Sequence, residues 1–466
     1  MKMRKRAKGT KGSSTSDSSR KGRQAEGSRD GAPSRSTDAS AASADRLLLV
    51  QIEKPIYGGA FLARTAGKAV FVPLGLPGER ARVRIVEEKR SYAAVEVEQI
   101  LAPAPERIAA PCPHFGTCGG CQYQHADYDA QLRYKQAILR ETLERGGVPA
   151  REEIDMLAGN PWAYRNRIRV AFDAEGNPGY RGRRSHGVIP IAECPIAAPV
   201  LVSAAIRAVE LYKAFAPARR AAELSLFCDA EETSILASVY SAGAAQVPLV
   251  DYFDIVRQIP ELGGVELVEQ YPGQPPRTVA QSGAASLNYR AAGFDYRVDH
   301  GAFFQVNRWL VDALVERVAA GRGGALAWDL FAGVGLFARP LTACFDRVVA
   351  VESAPAATAA LAHNLSGGRA SAVASATHDF LRRNRRSQQP DLIVVDPPRT
   401  GLGAETTALL GEIAAPALVY VSCDPATLAR DLRALTASGY AVERLTLADL
   451  FPQTFHLETI VDLRRR

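Results

Sequence analysis

From residue 325 to residue 423 the chain repeats one unit: a short apolar run, a polar or reactive side chain at its end, then a helical stretch. The runs are Ala325–Leu330, Val348–Val351, Leu392–Val395 and Ala417–Val421. The clearest helical stretches of this half are Leu310–Ala319, Ala356–Leu365 and Thr427–Leu435. Strand-length runs alternating with helices predict an α/β fold, a parallel sheet with helices on both faces. In such open sheets ligands bind outside the carboxyl ends of the strands. Those ends carry Asp329 with Phe331 and Gly333-x-Gly335, then Glu352, then Asp396, then Cys423. Core packing accounts for any one of these alone, but not for four together.

The residue types suggest a chemistry. Gly333 and Gly335 let backbone approach a ligand at a strand-to-helix turn. Glu352, 17 residues after Gly335, is placed to accept hydrogen bonds from ribose hydroxyls. The same glycines satisfy a loose dinucleotide fingerprint, but nothing downstream suits hydride transfer, whereas a thiol suits another reaction. Cys423 stands in Val419-Tyr-Val-Ser-Cys-Asp-Pro425, after Val394-Val-Asp-Pro-Pro-Arg399 and before Phe451-Pro-Gln-Thr-Phe-His-Leu-Glu458. Cysteine is the residue whose thiolate is accessible near neutral pH, so a positioned thiol beside a nucleotide-type loop suggests covalent chemistry on a bound base.

Upstream the composition changes. Residues 1–45 hold eleven Lys/Arg against five Asp/Glu, so six of the seven net positive charges lie there. Rich in Ser, Gly, Arg and Lys, this segment is expected to be disordered and is either an RNA-binding arm or a solubilising extension. Residues 46–104 alternate apolar and polar positions between turn signals such as Gly58-Gly59 and Pro77-Gly78, the pattern of a small β-barrel of oligonucleotide-binding type. Residues 105–149 contain Cys112-x5-Cys118-x2-Cys121 and a helix from Tyr128 to Arg145. Together with Cys194, the trio points to a metal or an iron–sulfur cluster, zinc being the competing metal. Cys228 and Cys344, in apolar surroundings, read as core. Residues 150–295 mix strands and helices and interleave arginine with aromatics at Trp162–Arg169 and Tyr180–His186, which suits single-stranded RNA. Residues 296–466 form the α/β unit. No apolar run approaches the ~18 residues of a membrane helix, and Leu47–Val50 is too short for a secretion signal, so a cytoplasmic protein without membrane association, and most simply a monomer, is expected.

From about residue 46 to the C-terminus the sequence resembles the RNA uracil-C5 methyltransferase family, specifically its iron–sulfur, TRAM-domain branch acting on 23S rRNA. The motifs that carry the likeness are the cysteine set, Phe304-Gln305-Val306-Asn307, Asp396-Pro-Pro-Arg399, Ser422-Cys423-Asp-Pro425 and His456-x-Glu458. The resemblance implies S-adenosylmethionine as methyl donor in a Rossmann-like domain, bound by Gln305, Phe331, Gly333, Gly335, Glu352, Asp379 and Asp396. It implies a four-iron four-sulfur cluster on Cys112, Cys118, Cys121 and Cys194. It implies Cys423 as nucleophile and Glu458 as base, with Asp396 at the base edge. Leu336 stands where the family often has Asn, so that contact is not carried over. The rivals are a tRNA substrate with the same chemistry, an amino-methyltransferase, for which Asp-Pro-Pro-Arg is suggestive but the thiol superfluous, and an RNA-binding assembly factor without catalysis.

Overall fold

Five strands open the described part of the chain and close on themselves. The computed structural model describes residues 46–149, 153–215, 223–242, 257–271 and 273–466, so the basic segment 1–45 lies outside the described residues. The strands are β1 (Leu47–Pro55), β2 (Ala60–Thr65), β3 (Lys68–Pro73), β4 (Arg80–Glu88) and β5 (Tyr92–Ala102), paired in the order β1-β2-β3-β5-β4 as a closed barrel. Alternate positions turn inward, among them Val50, Ile52, Phe61, Val70, Val83 and Val95. The buried Glu79 carboxylate accepts from the Leu76 and Ala104 amides and pairs with Arg107 at 2.5 Å, tying the barrel to the segment that follows.

Helix α1 (Tyr128–Arg145) starts at Asp127, whose carboxylate accepts from the Ala130 amide at 2.6 Å. It ends as read from the sequence, at Gly146-Gly147, with Gly147 in the left-handed region at φ 76°. After it, β6 (Asp155–Leu157) crosses to the edge of the C-terminal sheet. Next come β7 (Arg167–Phe172), β8 (Pro178–Arg181), β9 (Val188–Pro190), α2 (Pro199–Phe215), β10 (Glu223–Cys228), β11 (Ile235–Ala242), β12 (Leu262–Gln270) and β13 (Arg277–Gly283). Their seven-stranded sheet runs β13-β12-β11-β10-β7-β8-β9. The hairpin β14 (Ser286–Ala291) and β15 (Phe294–Asp299) joins the core of the C-terminal part through Tyr289, Tyr296 and Val298. Two pieces of the stretch read as one central region, β6 and this hairpin, thus pack with the last third of the chain.

That last third contains α3 (Val311–Ala319), β16 (Gly324–Leu330), α4 (Ala338–Leu341), β17 (Phe345–Glu352), α5 (Pro355–Asn364), β18 (Ala370–Ala374), α6 (Thr377–Asn384) and β19 (Leu392–Val395). It finishes with α7 (Gly403–Ile413), β20 (Ala417–Ser422), α8 (Pro425–Ala437), β21 (Tyr440–Ala448) and β22 (Glu458–Arg465). The sheet order is β18-β17-β16-β19-β20-β22-β21-β6. The first five strands pair in parallel, and β22 is antiparallel to both its neighbours β20 and β21. The order reverses between β16 and β19, so a crevice opens at that switch point. Both sheet faces are covered, by one apolar cluster around Ala327, Val394 and Val421 and another around Trp328, Ile393 and Tyr420. Cys228 is buried as expected, but Cys344 is exposed: it lies in the turn after α4, and the next residue, Phe345, takes the buried place.

Candidate active site

Strand register assembles the reactive groups. In the antiparallel pair of β20 and β22, Ser422 faces Thr459 and Val421 faces Ile460. One step further, Cys423 falls opposite Glu458. In the parallel ladder Val395 pairs with Tyr420, which puts Asp396 level with Val421, and Asp329 pairs with Val394. Side chains alternate with a period of two. Asp329, Asp396, Cys423 and Glu458 therefore share one sheet face, that of Ala327, Val394, Val421 and Ile460.

Burial and mutual repulsion set their protonation. Desolvation pushes the half-buried Cys423 thiol up to about 12, with the Glu458 and Asp396 carboxylates raising it further and Arg399 opposing. Desolvation also raises Asp396 to about 7 and holds Glu458, 4% exposed, well above the ordinary range, with the Asp396 charge adding to it. Asp329 is completely buried, and its carboxyl too is raised, first by burial and then by Asp396, with the Ala338 backbone opposing. Crowded carboxyls raise one another. The exposed Arg399 opposes the rise at Glu458 and Cys423, and its Nη2 lies 3.2 Å from His456 Nδ1. Burial, then Arg399, lowers His456 to about 4, so the imidazole is neutral.

The crevice between β16 and β19 is shaped by backbone. Phe331 adopts φ 62°, left-handed and costly for a side chain of its size, and Gly333 and Gly335 follow at 56° and 92°. The turn is pinned: the Gly333 amide donates to Glu352 Oε2 at 2.8 Å, and the Tyr296 hydroxyl donates to the Leu336 carbonyl at 3.1 Å. Glu352 Oε1 accepts from the Ser353 and Ala354 amides. Gln305 is buried on a segment held by Asn166, whose Nδ2 donates to the Gln305 carbonyl at 2.9 Å. Asp379 stands apart: it is exposed in the first turn of α6, 3.4 Å from Arg382 and 3.6 Å from His378.

The four candidate ligand cysteines come together. Cys112, Cys118, Cys121 and Cys194 wall one pocket of about 440 Å³, with Arg165, Arg181, Arg183 and Arg184 around it. Burial raises the first three thiols, Cys121 to about 12, and each also feels Cys194. Among the described residues no three His, Cys, Asp or Glu side chains converge closely enough for a single metal ion.

The basic aromatic stretches are spent differently from the sequence reading. Arg167 lies 4.3 Å over the Phe227 ring, an internal contact, while Arg169, 4.2 Å over Tyr240, stays exposed. Tyr164 is fully buried, its hydroxyl donating to the Pro452 carbonyl at 3.0 Å. Residues 180–184 form part of the rim of the cysteine pocket, where the Gly119 amide donates to the Arg181 carbonyl at 3.0 Å. Three residues without a sequence role come forward: Phe303, 59% exposed beside Gln305; Tyr57, from the barrel turn; and Phe455. Phe303 had a signal in lying two residues before Gln305. Tyr57 had none, because its place depends on how the barrel docks.

Comparison with known proteins agrees with this architecture. The family model "tRNA (Uracil-5-)-methyltransferase" matches residues 283–466, and the TRAM domain model matches residues 46–97. An uncharacterized RNA methyltransferase of Streptomyces avermitilis is 34% identical over 443 residues, 89% of this chain and 97% of the relative. The 23S rRNA (uracil(1939)-C(5))-methyltransferase RlmD of Chromohalobacter salexigens is 35% identical, covering 91% of this chain and 90% of its own. Among solved structures, the Pyrococcus abyssi tRNA (uracil-54, C5)-methyltransferase in complex with S-adenosyl-L-homocysteine shares the fold at a TM-score of 0.71 and 22% identity, over 89% of this chain and 100% of that one.

Proposed function

The chain belongs to the RNA uracil-5-methyltransferase family, and we propose that it methylates C5 of a uridine in 23S rRNA. The observation that carries the reaction is Cys423 facing Glu458 across adjacent strands, with Asp396 on the same face. The relatives named for 23S rRNA support the RNA, and uracil 1939 is the first position to test.

Each group has a task. A uridine must leave its stack to reach the strand ends. The Cys423 thiol loses its proton to solvent, and the thiolate adds to C6. The C5–C6 electron pair moves to O4, where the protonated member of the Asp396–Glu458 set donates a hydrogen bond. S-adenosylmethionine supplies the methyl group that C5 attacks, and its sulfur leaves with the bonding pair. Ionised Glu458 then removes the C5 proton, the C5–C6 double bond re-forms, and Cys423 departs as thiolate. The cosubstrate would lie in the β16–β19 crevice, its ribose toward Glu352, with Phe331, Gly333, Gly335, Gln305 and Asp396 around it. Asp379 would reach it by giving up its ion pair with Arg382.

The thiol pocket supports the cluster. Four thiolates and an iron–sulfur core carry net negative charge, which the arginine rim complements. Cys112, Cys118, Cys121 and Cys194 would hold it, and its contribution is a cross-link between the segment before α1 and the central sheet. Iron and acid-labile sulfide at about four each per chain are expected after anaerobic purification; zinc alone would replace this assignment.

The decisive experiment is transfer of labelled methyl to unmodified 23S rRNA and to bulk tRNA. Wild type should place 5-methyluridine in 23S rRNA, and Cys423→Ala should lose at least about 10⁴-fold in rate. Glu458→Gln should stall after methyl transfer and accumulate protein covalently bound to RNA. Label in tRNA alone would change the substrate, and activity surviving Cys423→Ala would overturn the mechanism.

A further inference from the structure

The turn between β1 and β2 reaches from the barrel to the nucleophile. Its Tyr57 packs against the apolar cluster of the C-terminal sheet, and its ring stands edge-on to Phe455 at 5.5 Å. The Tyr57 hydroxyl is within hydrogen-bonding reach of Asp424, the residue after Cys423, and feels both Cys423 and Arg399. The Asp424 carboxylate also caps α8 by accepting from the Ala426 and Thr427 amides. Phe455 continues the row to His456, at 4.3 Å between ring centroids, and His456 leads to Arg399. Gly59 closes the turn at φ 86°, where a Cβ would come within 2.6 Å of Gln122 and 3.2 Å of the Phe455 ring. All three rings remain partly exposed, and Arg399 beside them is exposed.

We propose that Tyr57 and Phe455 form a stacking subsite for the nucleobase next to the extruded uridine, with Arg399 meeting the adjoining phosphate. This rests on the uracil-methyltransferase reading and adds where the neighbouring nucleotide goes. Extrusion leaves the flanking base without a stacking partner, and a half-open aromatic row one residue from the nucleophile supplies one. The row joins two distant parts of the chain, so the barrel takes part in placing the target and not only in holding the RNA. Tyr57 and Phe455 are positioning residues in this scheme.

The test uses the full chain and whichever RNA, 23S fragment or tRNA, the wild type methylates, with 2-aminopurine substituted on either side of the target uridine. Tyr57→Ala and Tyr57→Leu should raise KM for RNA about tenfold, more than they lower kcat, and leave KM for S-adenosylmethionine in place. The fluorescence change that wild type induces on one side should disappear in both variants and persist in Tyr57→Phe. Leucine preserves apolar contact without a stacking face. A wild-type KM in Tyr57→Leu, or identical fluorescence in wild type and variants, would overturn the proposal. So would equal effects on both substrates, which mark a packing defect. A wild type active on tRNA alone corrects the RNA assigned above, while the subsite is judged on that tRNA.

Discussion

Burial, and the carboxyls that the proposed reaction uses, hold Cys423 toward its thiol form. Burial and two neighbouring anions push it to about 12, so the thiolate fraction below that value grows about tenfold per pH unit. The rate of a single turnover should therefore climb between pH 6 and 9, by about three- to tenfold per unit, since ionisation of the carboxyls opposes the rise. A flat profile would mean that the thiol proton passes to a carboxyl inside the site before attack. Asp396 permits a test of the opposite sign on stability. Its folded value of about 7 lies above the ordinary 3.8. The folded state then binds the extra proton, and the stability this adds is complete below about pH 4 and lost as pH rises through 7. Asp396→Asn should raise Tm by about 2 °C at pH 8 and by much less at pH 4. Calorimetry at both values checks it, and an equal shift at both would remove the protonation argument. These residues were legible in the sequence because each ends an apolar run, and strand register converts that position into a shared face. Tyr57 was not, because nothing local distinguishes it from any turn tyrosine.

At the level of elements, pattern and length were enough wherever a strand is buried on both faces. Leu392–Val395 is observed as read, and the other three runs differ by at most three residues at an end. Strand β6 escaped because three residues carry no periodicity and are recruited only by the open edge at Thr446–Ala448. Arg167 of β7 could not be placed from its spelling, because Arg beside an aromatic reads the same whether the ring is a base platform or an internal neighbour across the sheet. The glycine turn was read correctly and can be tested as a unit. Gly335 sits at φ 92°, and a Cβ there would come within 2.9 Å of the Leu361 side chain. Gly335→Ala should cost about 1–3 kcal/mol of local strain. Its expected readout is an S-adenosylmethionine affinity about tenfold weaker or worse by titration calorimetry; unchanged affinity would place the cosubstrate elsewhere.

Across the whole molecule, the loop that delivers His456 and Glu458 is built by parts far apart in sequence. Lys135 and Asp449 are both fully buried, 2.5 Å apart, and Lys135 Nζ also donates to the Phe451 carbonyl at 2.9 Å. Gln131 exchanges hydrogen bonds with Gln453, at 2.9 and 3.0 Å, and Gln453 lies in the left-handed region at φ 68°. The amides of Gln122 and Tyr123, directly after Cys121, both donate to the Gln453 carbonyl. Asn307 Nδ2 holds the Leu450 carbonyl from the other side at 3.2 Å. The cysteine segment, helix α1 and the segment carrying Gln305 thus converge on residues 449–453, so a disturbance of the thiol pocket reaches the base through two hydrogen bonds. Burial pushes Lys135 down, and the Asp449 carboxylate opposes that shift. Removing one partner leaves the other as an uncompensated buried charge, so Lys135→Met should cost about 3–5 kcal/mol. It should also lower kcat more than it raises KM for RNA, because the loop leads to Glu458, the proposed base. The double variant Lys135→Met/Asp449→Leu removes both charges and should recover most of the stability in denaturant melts while kcat stays low, since the Phe451 tether is still missing. If kcat returned with stability, the pair would be a device of folding alone, and the geometry at Glu458 would depend on β22 instead of the loop before it.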